Sequence, residues 1–121
     1  MSLTELKSFQ ALKAHFEKTQ HLHMRDLFAA DPSRANKYTL RLDDFMLDYS
    51  KNRITDETMP LLVELAKECN IEQKRDEMFS GKRINFTEDR PVLHIALRNR
   101  ANTPILVDGK DVMPQINAVV D

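Results

Sequence analysis

One cysteine and two glycines stand among 121 residues. The lone thiol, Cys69, cannot close an internal disulfide or build a cysteine-based zinc site. Such sparing use of cysteine suits a reducing cytoplasm. Two glycines are few for a chain of many tight turns and favour helices instead. No apolar run approaches the roughly 20 residues that span a bilayer. The opening MSLTELKSFQ lacks a basic region followed by an apolar block, so no secretory signal is read there. Neither sign of charge prevails: 18 basic against 19 acidic residues leave a net charge of -1. Nothing in that balance signals nucleic acid, a membrane surface or a strongly basic partner. What is present is 41% hydrophobic and 31% charged residues, the balance of a water-soluble globular piece with room for one domain and a core.

Helical patterning dominates. Ser2 and Glu5 form a capping-box pattern, and Leu3, Leu6, Phe9, Leu12 and Phe16 make one stripe, predicting a helix over about residues 3–20. His15 lies at the boundary of that stripe. A short helix follows near Met24 to Ala30 and ends at Asp31-Pro32. Between Tyr38 and Tyr49 the period changes to two, with Tyr38, Leu40 and Leu42 alternating with Thr39 and Arg41. Asp43-Asp44 can turn the chain, giving a short hairpin. Thr55 is read as the cap of a third helix whose buried face carries Met59, Leu62, Leu65, Ala66 and Cys69, with Pro60 forcing a late start or a distorted first turn. Asn70 to Phe79 is a fourth helix, stopped by Gly81. Thr87, Glu88, Asp89 and Pro91 suit the start of a fifth helix, carrying Val92, Leu93, Ala96 and Leu97. Pro104 to Val107 is extended before Asp108-Gly109, and a sixth helix begins near Asp111 and reaches the last residue without a closing signal. No repeat, low-complexity tract or linker divides residues 1–121, which read as one helical module.

Several patterns invite chemistry. Ser80-Gly81-Lys82 looks like part of a phosphate loop, but Asp76 stands where the first glycine belongs and Arg83 where a hydroxyl belongs. A helix stop explains Gly81 better. His21 and His23 are two apart with no third ligand nearby, and exposed polar histidines are the simpler reading. His94 has Arg90 and Arg98 four residues away on either side. On one helix face these could hold an anionic group, and with Arg100, Lys82 and Arg83 they form a local basic cluster that could meet a sugar phosphate or an acidic partner surface, although a solvated face or pairing with Glu88 and Asp89 is the more ordinary outcome. Asp108 to Asp111 lacks the oxygen ligands of a calcium loop. From the residues alone no catalytic, cofactor-binding or metal site is assigned.

Four stretches are more specific: DYSKNRIT at 48–55, LAKEC at 65–69, MFSGKRIN at 78–85, and above all TEDRPVLHIALRNRANTPILVDGKDVMPQINAV at 87–119. In these the chain resembles the N-terminal part of the bacterial phosphoglucose isomerase (glucose-6-phosphate isomerase) family, weakly over the first thirty or so residues and strongly from Asp48 onward. The resemblance implies a longer enzyme, built of two α/β sugar-isomerase (SIS-type) domains with helical extensions. Such an enzyme interconverts glucose 6-phosphate and fructose 6-phosphate through an enediol, without metal or other cofactor. It further implies a cytoplasmic homodimer whose sugar-phosphate site lies downstream. Neither family signature, of the GGR[FY]S or FDQ-x-G[IV]E type, occurs here, so no catalytic residue is carried over. Whether His94, Arg90, Arg98 and Arg100 approach that site is not given by the sequence.

The expected fold class is therefore mainly α with one short β-hairpin, the N-terminal helical segment of a larger enzyme, cut in mid-helix. The piece alone should be inactive, its partners being the remaining domains of the same polypeptide. The alternative is an autonomous helical interaction domain without activity. If the helices pack on other domains, a contiguous apolar patch should be open along the fifth and sixth helices or the Tyr38 to Tyr49 hairpin.

Overall fold

A computed structural model describes residues 2–120. Its elements are α1 (Lys7–Thr19), α2 (Met24–Ala30), α3 (Arg34–Lys37), β1 (Thr39–Leu42), β2 (Phe45–Asp48), α4 (Thr58–Glu68), α5 (Ile71–Phe79), β3 (Leu106–Val107), β4 (Lys110–Asp111) and α6 (Met113–Val120), with 3-10 turns at Leu3–Glu5 and Ala96–Arg98. They gather into two compact units, Met1–Cys69 and Asn70–Asp121. The mainly helical class holds, and so does the hairpin at Asp43-Asp44. A second, very short hairpin, β3 with β4, adds to the single one expected.

In the first unit the stripe holds at Leu6, Phe9 and Leu12, which are half-buried, and slips by one residue at its end. The Ser2 amide does donate to Glu5 Oε2 at 2.8 Å, but the box closes only the first 3-10 turn, and Leu6 is extended before α1 begins. The buried position of α1 belongs to His15, not to Phe16, which is more than half exposed. His15 goes inward because it has a partner there: its Nε2 is 2.8 Å from Thr58 Oγ1, which itself accepts the Thr55 amide at 2.9 Å. A buried imidazole with a hydrogen-bond partner avoids the cost of an orphaned polar group. Thr58 is also the first residue of α4, so the helix starts three residues after Thr55 and Pro60 falls in its first turn, where a missing N–H costs nothing. Leu62, expected inside, lies on the open side of α4.

The start of α1 is capped from across the unit. Glu68, the last residue of α4, accepts the Ser8 amide at 2.8 Å, the Lys7 amide at 3.4 Å and the Ser8 hydroxyl. A carboxylate at a helix N-terminus satisfies orphan amides and meets the positive end of the dipole. The Ser8 hydroxyl first, then the Ser8 amide, hold the Glu68 carboxyl below its ordinary value of 4.5. A folded-state value below the unfolded one stabilises the fold above about pH 4.5, and the contribution is lost as pH falls through the folded value. Asp31, Asp48 and Asp56 of the same unit shift in the same direction. Acid should therefore lower the melting temperature of this unit, read by the two tyrosines, Tyr38 and Tyr49, which both lie in it. Glu68→Gln should flatten part of that pH dependence; an unchanged profile would remove Glu68 from the account.

Arg34 organises the other end of the unit. It is 3% exposed. Its Nε donates to Ser50 O at 2.9 Å and its Nη2 to Asn52 O at 2.9 Å and Ile54 O at 3.0 Å. The guanidinium also lies 4.7 Å from the Tyr38 ring centre and 5.6 Å from that of Phe28. The loop after β2 is thus wound around one side chain. Tyr38 is buried, donates its hydroxyl to Asp56 at 2.7 Å, and meets Tyr49 edge-on at 5.6 Å. Together these fix the root of the β1–β2 hairpin.

The second unit departs furthest from expectation. No helix forms over Thr87 to Leu97. The chain instead closes a tight turn in which Asn85 and Arg90 exchange amide–carbonyl bonds at 3.1 and 3.2 Å, and only Ala96–Arg98 coils, as a 3-10 turn. Pro91 disfavours a helical Arg90, and Asp89 takes a left-handed φ of 50°. Of the apolar residues read as a helix face, Ala96 and Leu93 still serve the core and Leu97 is exposed: Ala96, Ile105 and Met113 are buried, with Leu93, Ile95, Val112 and Ile116 packed on them.

Scarcity of glycine does not mean scarcity of left-handed turns. Asp43, Asn70, Asp89, Asn102 and Asp108 all have positive φ, between 49° and 55°. Aspartate and asparagine are the residues that tolerate this region best after glycine, since their short side chains bond the local backbone.

Candidate functional site

The stretch from Ser80 to Asp111, which holds both glycines and most of the candidate chemistry, turns out to be a self-tied junction within the second unit. Helix α5 ends in a double hydrogen-bonded cap: the Lys82 amide donates to Glu77 O at 3.1 Å and the Gly81 amide to Met78 O at 3.2 Å. Gly81 has φ +73°, the left-handed residue such a cap requires. These amides point into the helix end, so they are not free to cradle a phosphate. A Cβ on Gly81 would stand 2.3 Å from Leu106 O, because β3 runs directly against it.

Arg83 then ties three turns together. Its Nη2 donates to Asp108 Oδ2 at 2.6 Å, and its Nη1 donates to Asp89 O at 2.5 Å and lies 3.4 Å from Asp89 Oδ2. Asp108 is held below its ordinary carboxylate value by the Arg83 hydrogen bond and charge, and Arg83 is raised in return. Asp108 and Gly109 both have positive φ, the geometry of the tight hairpin turn that Asp-Gly favours. Asp111 Oδ1 accepts the Met113 amide at 3.0 Å and the Ile105 amide at 3.2 Å, so this carboxylate starts α6 and pins β3.

The basic cluster does not assemble as a helix face. His94, Arg90, Arg98 and Arg100 are all exposed. Without a helix the four-residue spacing of Arg90, His94 and Arg98 no longer stacks them. Arg98 Nη1 instead donates to the backbone oxygen of His94 at 3.1 Å, and Arg90 sits 4.0 Å from Glu88. Lys82 lies 3.8 Å from Glu77. An open groove of about 480 Å³ includes Phe79, Ile95, Arg98 and Ile105, with Arg98 its one charged group among the described residues. Nothing in it pairs a nucleophile with a base or converges several donors on one point.

Elsewhere the candidates also resolve into structure. His23 Nδ1 accepts the Arg25 amide at 3.1 Å and caps α2, while His21 lies in the turn before it. Cys69 is half-buried at the end of α4. Among the described residues no three of His, Cys, Asp and Glu are placed to hold a metal ion, and no helix is long and apolar enough to cross a membrane. The side chains that organise the first unit, Arg34 and Glu68, were not among the candidates, although Glu68 lies within the LAKEC stretch. Only a contact across 60 residues gives Glu68 its role.

Comparison with known proteins assigns what the geometry does not. The phosphoglucose isomerase family model matches residues 48–121, more than half of the chain. The chain belongs to the phosphoglucose isomerase family. It is 58% identical over 119 residues to glucose-6-phosphate isomerase 1 of Chromobacterium violaceum. It is 53% identical over 118 residues to glucose-6-phosphate isomerase of Methylococcus capsulatus, and 52% identical over 118 residues to glucose-6-phosphate isomerase 1 of Neisseria gonorrhoeae. Each alignment takes in 98% of this chain and only 22% of the relative, as fits an N-terminal portion of a phosphoglucose isomerase. The match reaches across the first thirty residues too, where the motif resemblance was weak.

Proposed function

We infer that this chain is the N-terminal helical module of a glucose-6-phosphate isomerase. The whole enzyme interconverts glucose 6-phosphate and fructose 6-phosphate, an aldose–ketose isomerisation by base-assisted proton transfer through an enediol, without metal. Its reacting groups stand in SIS-type α/β domains outside residues 1–121, and the module packs on those domains and supports a cytoplasmic homodimer. The single observation that carries this reading is the near-complete alignment of this chain with 22% of its isomerase relatives. Within Ser80 to Asp111, Arg83, Asp108 and Asp111 hold turns and a helix start, roles that suit a structural module. The alternative, an autonomous interaction domain, has no comparable support.

The test is turnover by the full-length encoded protein. Fructose 6-phosphate should be converted to glucose 6-phosphate, followed by coupled oxidation of the product. An open reading frame that ends at Asp121, or a folded full-length protein without turnover, would sink the assignment.

A further inference from the structure

The β1–β2 hairpin has two chemically different faces. Register pairs Leu40 with Leu47 and Leu42 with Phe45, while Thr39 pairs with Asp48 and Arg41 with Met46. Paired residues share a face and alternate residues along a strand share it too. One face is therefore wholly apolar, made of Leu40, Leu42, Phe45 and Leu47, and the other carries Thr39, Arg41, Met46 and Asp48. The four apolar side chains are 58%, 72%, 79% and 59% exposed.

A two-stranded hairpin is marginal in water by itself, and a contiguous apolar patch marks a contact surface. The root of this one is nevertheless fixed, by buried Tyr38, by the Tyr38–Asp56 bond and by Arg34 beneath the ring. A rooted arm with one greasy face is shaped to be covered.

We propose that the Leu40–Leu42–Phe45–Leu47 face is a docking surface for an apolar patch on the catalytic domains of the same polypeptide. This rests on the reading of the chain as one part of a longer isomerase. Size selects the occupant. Weighted by their exposures, the four side chains offer on the order of 500 Å². A stable association of separate molecules takes about 800 Å² from each partner. A covalently attached domain meets the face at high effective concentration and needs no such area. The relatives supply that domain in the 78% of their length that this chain does not match.

The experiment uses the full-length protein carrying p-benzoylphenylalanine in place of Phe45, with the same replacement at Arg41 on the polar face as control. After irradiation, the Phe45 variant should keep the mass of one subunit, and peptide mapping should find the link to a peptide outside residues 1–121. The Arg41 control should give far less of it. A link to a second subunit, a link to another protein, or no link in excess of the control would each overturn the proposal. Leu42→Glu gives a second readout: the full-length enzyme should lose activity at a lower temperature than with Arg41→Glu, and equal losses would contradict the assignment. Isomerase turnover measured on the unmodified full-length protein keeps failure of this surface separate from failure of the functional reading.

Discussion

Gly81→Ala should be among the most damaging single changes in the second unit, costing about 2–4 kcal/mol of its stability. Two separate penalties act together. The residue has φ +73°, where a β-carbon costs about 1–2 kcal/mol. That β-carbon would also lie 2.3 Å from the Leu106 carbonyl oxygen, a backbone atom that cannot rotate away. Moving β3 would disturb Ile105, which is part of the core with Ala96 and Met113. Gly109 is the internal control. Its φ is +77°, yet nothing lies within 4 Å of its would-be Cβ. Gly109→Ala should therefore show only the conformational cost, about 1–2 kcal/mol. The chain has no tryptophan, and both tyrosines lie in the first unit, so the readout is amide exchange at Val112, whose N–H is bonded to Ile105 O at 3.0 Å. Equal losses for the two variants would show that the Leu106 contact relaxes freely.

Arg34→Met should destabilise the first unit by about 2–4 kcal/mol. The substitution keeps an apolar stem but removes every donor to Ser50, Asn52 and Ile54. The carbonyls of buried Ser50, exposed Asn52 and half-buried Ile54 then lose their partner, and the stacking on Tyr38 and Phe28 is lost as well. Arg34→Lys is the sharper test. An ammonium keeps the charge but cannot spread donors across three carbonyls in a plane. It should recover less than half of the loss. Tyrosine fluorescence in urea follows both variants, because Tyr38 and Tyr49 flank the hairpin that Arg34 anchors. Full recovery by lysine would mean that charge alone, not the planar fork, holds the loop.

Local signals in the sequence carried far where local chemistry decides the structure. Alternation from Tyr38 to Leu42 marked the hairpin, Gly81 marked the end of α5, and Pro60 left a late start or a distorted first turn for α4, of which the late start is found. They failed where distant partners decide. Thr87 to Leu97 has a good helix start and well-spaced apolar residues, but Arg83 draws Asp89 into a turn and Pro91 keeps Arg90 extended. Leu93 and Ala96 then reach the core from a non-helical path, while Leu97 stays exposed. His15 was legible as a helix residue but not as a buried one, since its partner Thr58 stands 43 residues away. The basic cluster follows its more ordinary expectation, since Arg83 pairs with Asp89 and Arg90 lies near Glu88, while the bond from Arg83 to Asp108, 25 residues away, was not legible. The family itself was legible in residues 87–119, whose wording is specific even though their fold was not.

Turnover of fructose 6-phosphate, measured side by side for the full-length encoded protein and for residues 1–121 alone, tests the central claim most directly. Conversion by the full-length protein with none above background for the 121-residue piece is the predicted result. Robust conversion by residues 1–121 would contradict it, because it would place the reacting groups inside this chain.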